Sequence, residues 1–201
     1  MSSAEQNYFT RSFFSLILFY AACLLVFIAV EKFTSDFSIF TESNFLHWDA
    51  MHYNTIQRVG YRTGMVAFFP LFPLLWHFTM MNGLGISIVN GMIYISSLAW
   101  LSSLFRISHK HLLLMASFPV VIFMFLPFSE SLFFLSSVIL LAGLKKDNYL
   151  MTLSGIVLAR FTRPVATAFI PALFLIQIYS GNRSSRSWMK FFGLAAACLI
   201  T

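Results

Sequence analysis

The densest polar stretch of the chain reads His47-Trp48-Asp49-Ala50-Met51-His52-Tyr53. It continues through Arg58, Gly60, Tyr61 and Arg62 and closes on Ala67-Phe68-Phe69-Pro70-Leu71-Phe72-Pro73. On a helix beginning near Asp49, His52 and Tyr53 lie three and four residues on and share its face. A carboxylate, an imidazole and a phenol on one face can move a proton from a hydroxyl nucleophile. A second reading makes the same residues structural: Asp49 caps a helix, Trp48 and Tyr53 form an interfacial aromatic belt, and the arginines reach for water. The residues alone leave both open. Further on, Glu130 stands ready to bind an acceptor, to hold an arginine or to cap the following helix, and Arg160 and Arg163 flank Phe161-Thr162. No His/Asp pair has a strong metal-ligand spacing, so neither a metal nor a cofactor is expected.

What must position these groups is an apolar scaffold. Of 201 residues, 59% are hydrophobic and only 10% charged, with a mean hydropathy of +0.80. Ordinary globular chains are roughly 45–50% apolar and about 25% charged, which points to an integral membrane protein and excludes soluble enzymes, disordered tails and nucleic-acid modules. The net charge of +6 is then a topology signal from cytoplasmic loops, not a sign of a polyanionic partner. Cys23 and Cys198 both sit in apolar runs and read as small hydrophobes. The first apolar run, Phe13 to Val30, exceeds a signal-peptide core and ends at Glu31-Lys32 with no Ala-x-Ala cleavage site, so it reads as a retained first span.

Further apolar runs cover Met65 to Met81, Leu84 to Phe105, Leu112 to Phe128, Leu132 to Leu144, Tyr149 to Ala159, Val165 to Tyr179 and Trp188 to Ile200. Pro70 and Pro73 disfavour a regular helix through the Met65 run. If that run crossed, only Arg11, Arg160 and Arg163 would lie inside, inverting the positive-inside rule. If it is re-entrant or interfacial, the inside set becomes Arg11, Arg106, Lys110, Lys145, Lys146, Arg183, Arg186 and Lys190, against Lys32, Arg58, Arg62, Arg160 and Arg163 outside. The second topology follows. It puts the N-terminus in the cytoplasm and a long loop, residues 31–81, outside together with the turns Pro127 to Ser131 and Arg160 to Pro164. The sequon Asn182-Arg183-Ser184 falls inside. The fold class expected is an all-α polytopic bundle of about six or seven spans, a single module over residues 1–201. The Leu132 to Leu144 run covers only roughly 20 Å at ~1.5 Å per residue, so outer charges are drawn toward membrane depth and imply a recessed polar site. Gly83, Ser87, Gly91 and Ser97 mark a small-residue face for close helix packing.

Three segments resemble, in order, the PIG-V mannosyltransferase family, which adds the second mannose in GPI-anchor synthesis and has bacterial relatives. Trp48-Asp49-Ala50 with the spaced Tyr53, Gly60-Tyr61 and Ala67 to Pro73 resembles its first outer loop. Phe128 to Phe133 resembles its Tyr-Ser-Glu-Ser-Leu-Phe turn, and Ala159 to Arg163 its Ala-Thr-Arg-Ser-Asn-Gly segment. Family members are considerably longer, so against this resemblance the chain looks C-terminally short, with the family's C-terminal helices absent, and Pro164-Val165 departs from its Ser-Asn-Gly tail. The resemblance implies a glycosyltransferase of the C superfamily that moves a mannosyl or hexosyl group from a polyprenyl- or dolichyl-phosphate sugar to a glycan or glycolipid acceptor at the outer face. Asp49 is then the expected catalytic base. Arg163, Arg160, His52 and Arg58, with Arg62 behind them, are the expected donor-phosphate ligands, and Glu130, Trp48 and Tyr53 the acceptor or supporting residues. A bacterial inner membrane is favoured over the endoplasmic reticulum. The alternative is a non-catalytic polytopic subunit, with or without a partner subunit, or a small transporter; the near absence of charge in the assigned spans and of internal repeats weighs against a transporter.

Overall fold

A computed structural model of the chain describes residues 3–34, 38, 40–179 and 185–199. The sequon at 182–184 and the cation Arg183 lie outside the described residues. Every described element is helical: α1 (Ser3–Phe33), α2 (Glu42–Phe45), α3 (Asp49–Val59), α4 (Leu71–Thr79), α5 (Gly83–Phe105), α6 (His109–Ala116), α7 (Glu130–Lys145), α8 (Tyr149–Thr162), α9 (Phe169–Tyr179) and α10 (Ser185–Ala197), with 3-10 turns at Pro119–Met124 and Pro164–Ala168.

Two helices are long and apolar enough to cross a membrane, α1 with 31 residues and α5 with 23. Most of the apolar surface of α1 points outward, with Leu18 and Leu25 more than 60% exposed, which needs a covering that water does not supply. The remaining apolar helices are shorter. At about 1.5 Å per residue, α7 spans roughly 24 Å and α8 roughly 21 Å, against a hydrocarbon core of about 30 Å.

Contacts along the helices show alternating directions. Ser12 Oγ lies 3.2 Å from Ser102 Oγ near one end of α1, and the Tyr20 ring meets Tyr94 nearer the other, so α5 returns antiparallel to α1. The chain then travels back: the Tyr8 hydroxyl donates to Ile107 O, the Tyr20 hydroxyl to Ala116 O at 3.0 Å, and Asn90 Nδ2 to Phe128 O at 2.9 Å. The sequence reading treats Leu112 to Phe128 as one run; it is broken, because Phe118 is extended (φ −67, ψ 130) ahead of Pro119, a position where a helical conformation would clash with the proline ring. α7 then runs parallel to α5, from Leu132 beside Ile86 to Lys145, whose ammonium donates to Leu104 O.

A tight turn at 146–148 sends α8 back along α7. A Cβ on Gly143 would stand 2.4 Å from the Thr152 backbone nitrogen, and one on Gly155 2.4 Å from that of Leu140. These two glycines let the α7 and α8 backbones approach closely. The small-residue face foreseen on α5 is real as well, since a Cβ on Gly91 would meet the Phe125 ring at 2.7 Å, but the α7–α8 pair is tighter. Gly155→Ala is expected to force these backbones apart at about 1–3 kcal/mol, the usual cost of overpacking. That is a fall of several degrees in Tm by thermal denaturation in detergent, at about 2–4 °C per kcal/mol for this size.

The paired prolines interrupt the Met65 to Met81 run as expected, since residues 61–70 are not helical. They also open a short helix. Pro70 precedes α4 and Pro73 lies in its first turn, where a missing N–H has no intrahelical acceptor to lose. The nine-residue helix that results spans only about 14 Å and packs on α3 through Phe72, Trp76 and Tyr53.

Candidate functional site

α3 begins at Asp49, as its sequence pattern predicts. The residue before it, Trp48, takes φ 51 and ψ −127, a backbone region that favours glycine and costs a bulky side chain on the order of 1–3 kcal/mol. The capping reading of Asp49 is corrected here: the N-cap is Trp48, with no side-chain capping hydrogen bond, and Asp49 is the exposed first residue of the helix. Its carboxylate sits where the helix dipole favours negative charge.

The expected common face of Asp49, His52 and Tyr53 is divided by burial. Tyr53 is buried, its ring edge-on to Phe68 and Phe72 at centroid distances of 5.1 and 4.9 Å, and its hydroxyl donates to Ser129 Oγ at 2.9 Å. His52 is half-buried and stacks on Phe68 at 4.7 Å. The Ala-Phe-Phe-Pro segment is therefore structural, with Phe68 holding His52 and Tyr53 while Phe69 lies under the Arg160 guanidinium at 5.4 Å.

The turn that receives Tyr53 continues into α7, whose first residue is Glu130. Glu130 Oε1 pairs with Arg163 Nη1, the side chains being 23% and 36% exposed. Arg163 caps the C-terminus of α8 in extended conformation, φ −152 and ψ 145, so this ion pair ties the start of α7 to the end of α8. Both charges suit their helix ends. The second carboxylate oxygen, Oε2, is buried without a hydrogen-bond partner. Such an acceptor costs about 1–3 kcal/mol unless a donor reaches it.

Arg160 is buried, with Nη1 donating to Pro164 O at 3.1 Å; packing on Phe69 makes it a brace for the turn after α8. Arg58 is not brought to this cluster. It lies nine residues along α3 from Asp49, about 14 Å away along the axis, with Nε donating to Asn54 Oδ1 at 3.1 Å. Arg62 is exposed in the following loop.

Three segments, spread over more than 100 residues of the chain, thus meet: α3, the 126–131 turn and the end of α8. Comparison with protein-family models, curated proteins and solved structures gives no match. The site is therefore read from its geometry. Sequence reasoning did not name Asn90, which is fully buried on α5 and donates from Nδ2 to the carbonyls of Leu126 and Phe128. It clamps the turn that presents Ser129 and Glu130. The signal was available, because an amide inside an apolar helix needs a polar partner on another segment. Ser129 carried no signal of its own.

Among the described residues no three His, Cys, Asp or Glu groups gather to hold a metal. A cavity of about 230 Å³ opens beside Trp48, between the loop entering α3 and the turn at Leu126 and Phe128. A larger one, about 500 Å³, lies at the other end of α7 and α8 against Asp147, Asn148 and Lys190. Volume alone favours the second, but only the first adjoins the converging segments.

Burial raises the Tyr53 phenol from 10.0 to about 12, with the Glu130 charge adding to the shift and the hydrogen bond to Ser129 and the Arg163 charge opposing it. The neutral phenol is the form the fold favours, so its stabilising contribution is complete below pH 10 and is lost as pH rises through about 12. Tyr53→Phe is expected to cost about 1 kcal/mol at neutral pH, the worth of an ordinary hydrogen bond. Its Tm should also fall less steeply than that of the parent protein between pH 10 and 12, by thermal melts across that range.

Proposed function

We propose that the chain is a multi-pass membrane glycosyltransferase that moves a hexosyl group, mannosyl by its resemblance to the PIG-V family, from a polyprenyl-phosphate sugar to a glycan or glycolipid acceptor. The observation that carries this reading is the meeting of Asp49-bearing α3, the Glu130 turn and Arg163 at one end of the helices. The alternating directions of α1, α5, the broken 109–126 segment, α7 and α8 support a traverse order, continued by α9 and α10, in which each passes through the bilayer, the shorter ones with their outer turns below the water interface. In that order the N-terminus is cytoplasmic and the gathered groups open on the outer face of a bacterial inner membrane.

The groups have complementary roles. As the acceptor hydroxyl attacks the anomeric carbon, its proton passes to the Asp49 carboxylate, and the bond between that carbon and the donor phosphate oxygen breaks. The phosphate leaves with the electron pair and needs positive donors. Arg163 uses one of its five N–H groups on Glu130, and the planar fork retains others for a phosphate. His52, held by Phe68, supports the phosphate or the carboxylate. Glu130 aims Arg163.

The test is transfer by the purified full chain, reconstituted in lipid and given polyprenyl-phosphate mannose and a lipid-linked acceptor without nucleotide sugar. Mannosylated acceptor is the expected product. Turnover of a nucleotide sugar but not of the lipid donor would refute the donor class, and a chain inert with both would refute the enzyme.

A further inference from the structure

We infer that the cavity beside Trp48 seats a single neutral sugar ring of the acceptor, a reading that rests on the sugar transfer proposed above and adds where the ring sits. The walls come from two sides. Asn44, Phe45, His47 and Trp48 belong to the segment entering α3, and Leu126 and Phe128 to the turn clamped by Asn90.

Three observations converge. First, three aromatic rings and one amide line a space of about 230 Å³, smaller than the roughly 300–1,000 Å³ of pockets for drug-sized ligands and suited to one ring. The C–H face of a pyranose is apolar and packs on an aromatic ring, while its rim of hydroxyls needs a polar group such as the His47 imidazole; the Asn44 amide is engaged, donating to Ser38 O at 2.6 Å. Second, no Lys, Arg, Asp or Glu is among the lining residues, so the donor phosphate has no counter-charge here and a neutral ring needs none. Third, Trp48 is held at φ 51 and left 71% exposed. Backbone strain of this kind persists where the surroundings over-determine it and gathers at ligand sites. Asp49, the base proposed above, is the next residue in the chain after Trp48.

Binding is measured without turnover, by saturation-transfer NMR of methyl α-mannopyranoside on the full chain in lipid nanodiscs. A millimolar dissociation constant is expected, because so small a ligand has few atoms with which to bind. Trp48→Gly removes the ring yet suits the backbone, since glycine adopts φ 51 freely; this variant should fold with an unchanged or higher Tm and bind at least tenfold more weakly. Trp48→Phe should retain binding, and mannose 6-phosphate should bind more weakly than the neutral glycoside. Absence of binding to the parent protein, equal binding by Trp48→Gly, or preference for the phosphorylated sugar would each overturn the assignment. Sugar binding by a parent chain that transfers nothing would uphold the pocket and refute the enzyme; transfer with no binding would do the reverse.

Discussion

Asp49→Asn is expected to lower sugar transfer at least ~10²-fold, the lower end of general-base contributions, while membrane insertion and Tm stay close to those of the parent protein. The structure separates this effect from a structural one. Asp49 is exposed and makes no capping bond, the N-cap being Trp48. What asparagine removes from the fold is one favourable charge in the first turn of α3, worth about 0.3–1 kcal/mol. A 10²-fold rate loss corresponds to about 2.7 kcal/mol of transition-state stabilisation, several times more than the dipole effect can explain. Transfer assays and thermal melts on the same preparation decide between them. Near-normal transfer by Asp49→Asn, in a preparation where the parent protein is active, removes Asp49 from the mechanism.

How far the sequence led can be judged from individual residues. The start of α3 at Asp49 and the all-helical class follow from local pattern, because helix periodicity and apolar composition are written in neighbouring residues. The small-residue face of α5 was legible for the same reason. The break at Phe118-Pro119 was also written locally, in the proline, yet length and hydropathy outweighed it in the reading of Leu112 to Phe128 as one run. Pro70 and Pro73 marked correctly that no regular helix runs through residues 65–81; that a short helix starts between them was not legible, since a proline's effect depends on whether it falls in a helix interior or its first turn.

The site was legible only in part. Glu130 and Arg163 stood out as charges in apolar surroundings, and of the uses open to Glu130 the structure shows it holding that arginine. Tyr53 shared a helical face with Asp49 on paper, but its ring turns into the core because Phe68, Phe72 and Ser129 take it there. Those partners lie on other segments, and no local pattern encodes them. Arg58 was grouped with the cluster by proximity in sequence, whereas nine residues of helix carry it away. Gly143 and Gly155 look unremarkable in sequence; only the antiparallel approach of α7 and α8 gives them their importance.

The Glu130–Arg163 pair carries the second large effect. Removing one partner of a fully buried pair costs about 3–5 kcal/mol because a charge is left uncompensated, whereas exposed pairs are worth about 0.2–1 kcal/mol. At 23% and 36% exposure this pair falls between. Glu130→Ala and Arg163→Ala are each expected to cost about 1–3 kcal/mol, and a double-mutant cycle should show coupling of about 1–2 kcal/mol, since each loss includes the charge stranded by the other. A merely structural pair would end there, and Arg163→Lys would restore most of both stability and transfer. If Arg163 also meets the donor phosphate, lysine keeps the charge for Glu130 but loses the planar fork that binds two oxygens at once. Arg163→Lys is then expected to melt within a few degrees of the parent protein and yet to raise the KM for the lipid-phosphate donor about tenfold, equivalent to about 1.4 kcal/mol, with the KM for the acceptor unchanged. Equal changes in both KM values, or none in either, would confine Arg163 to holding α7 against α8.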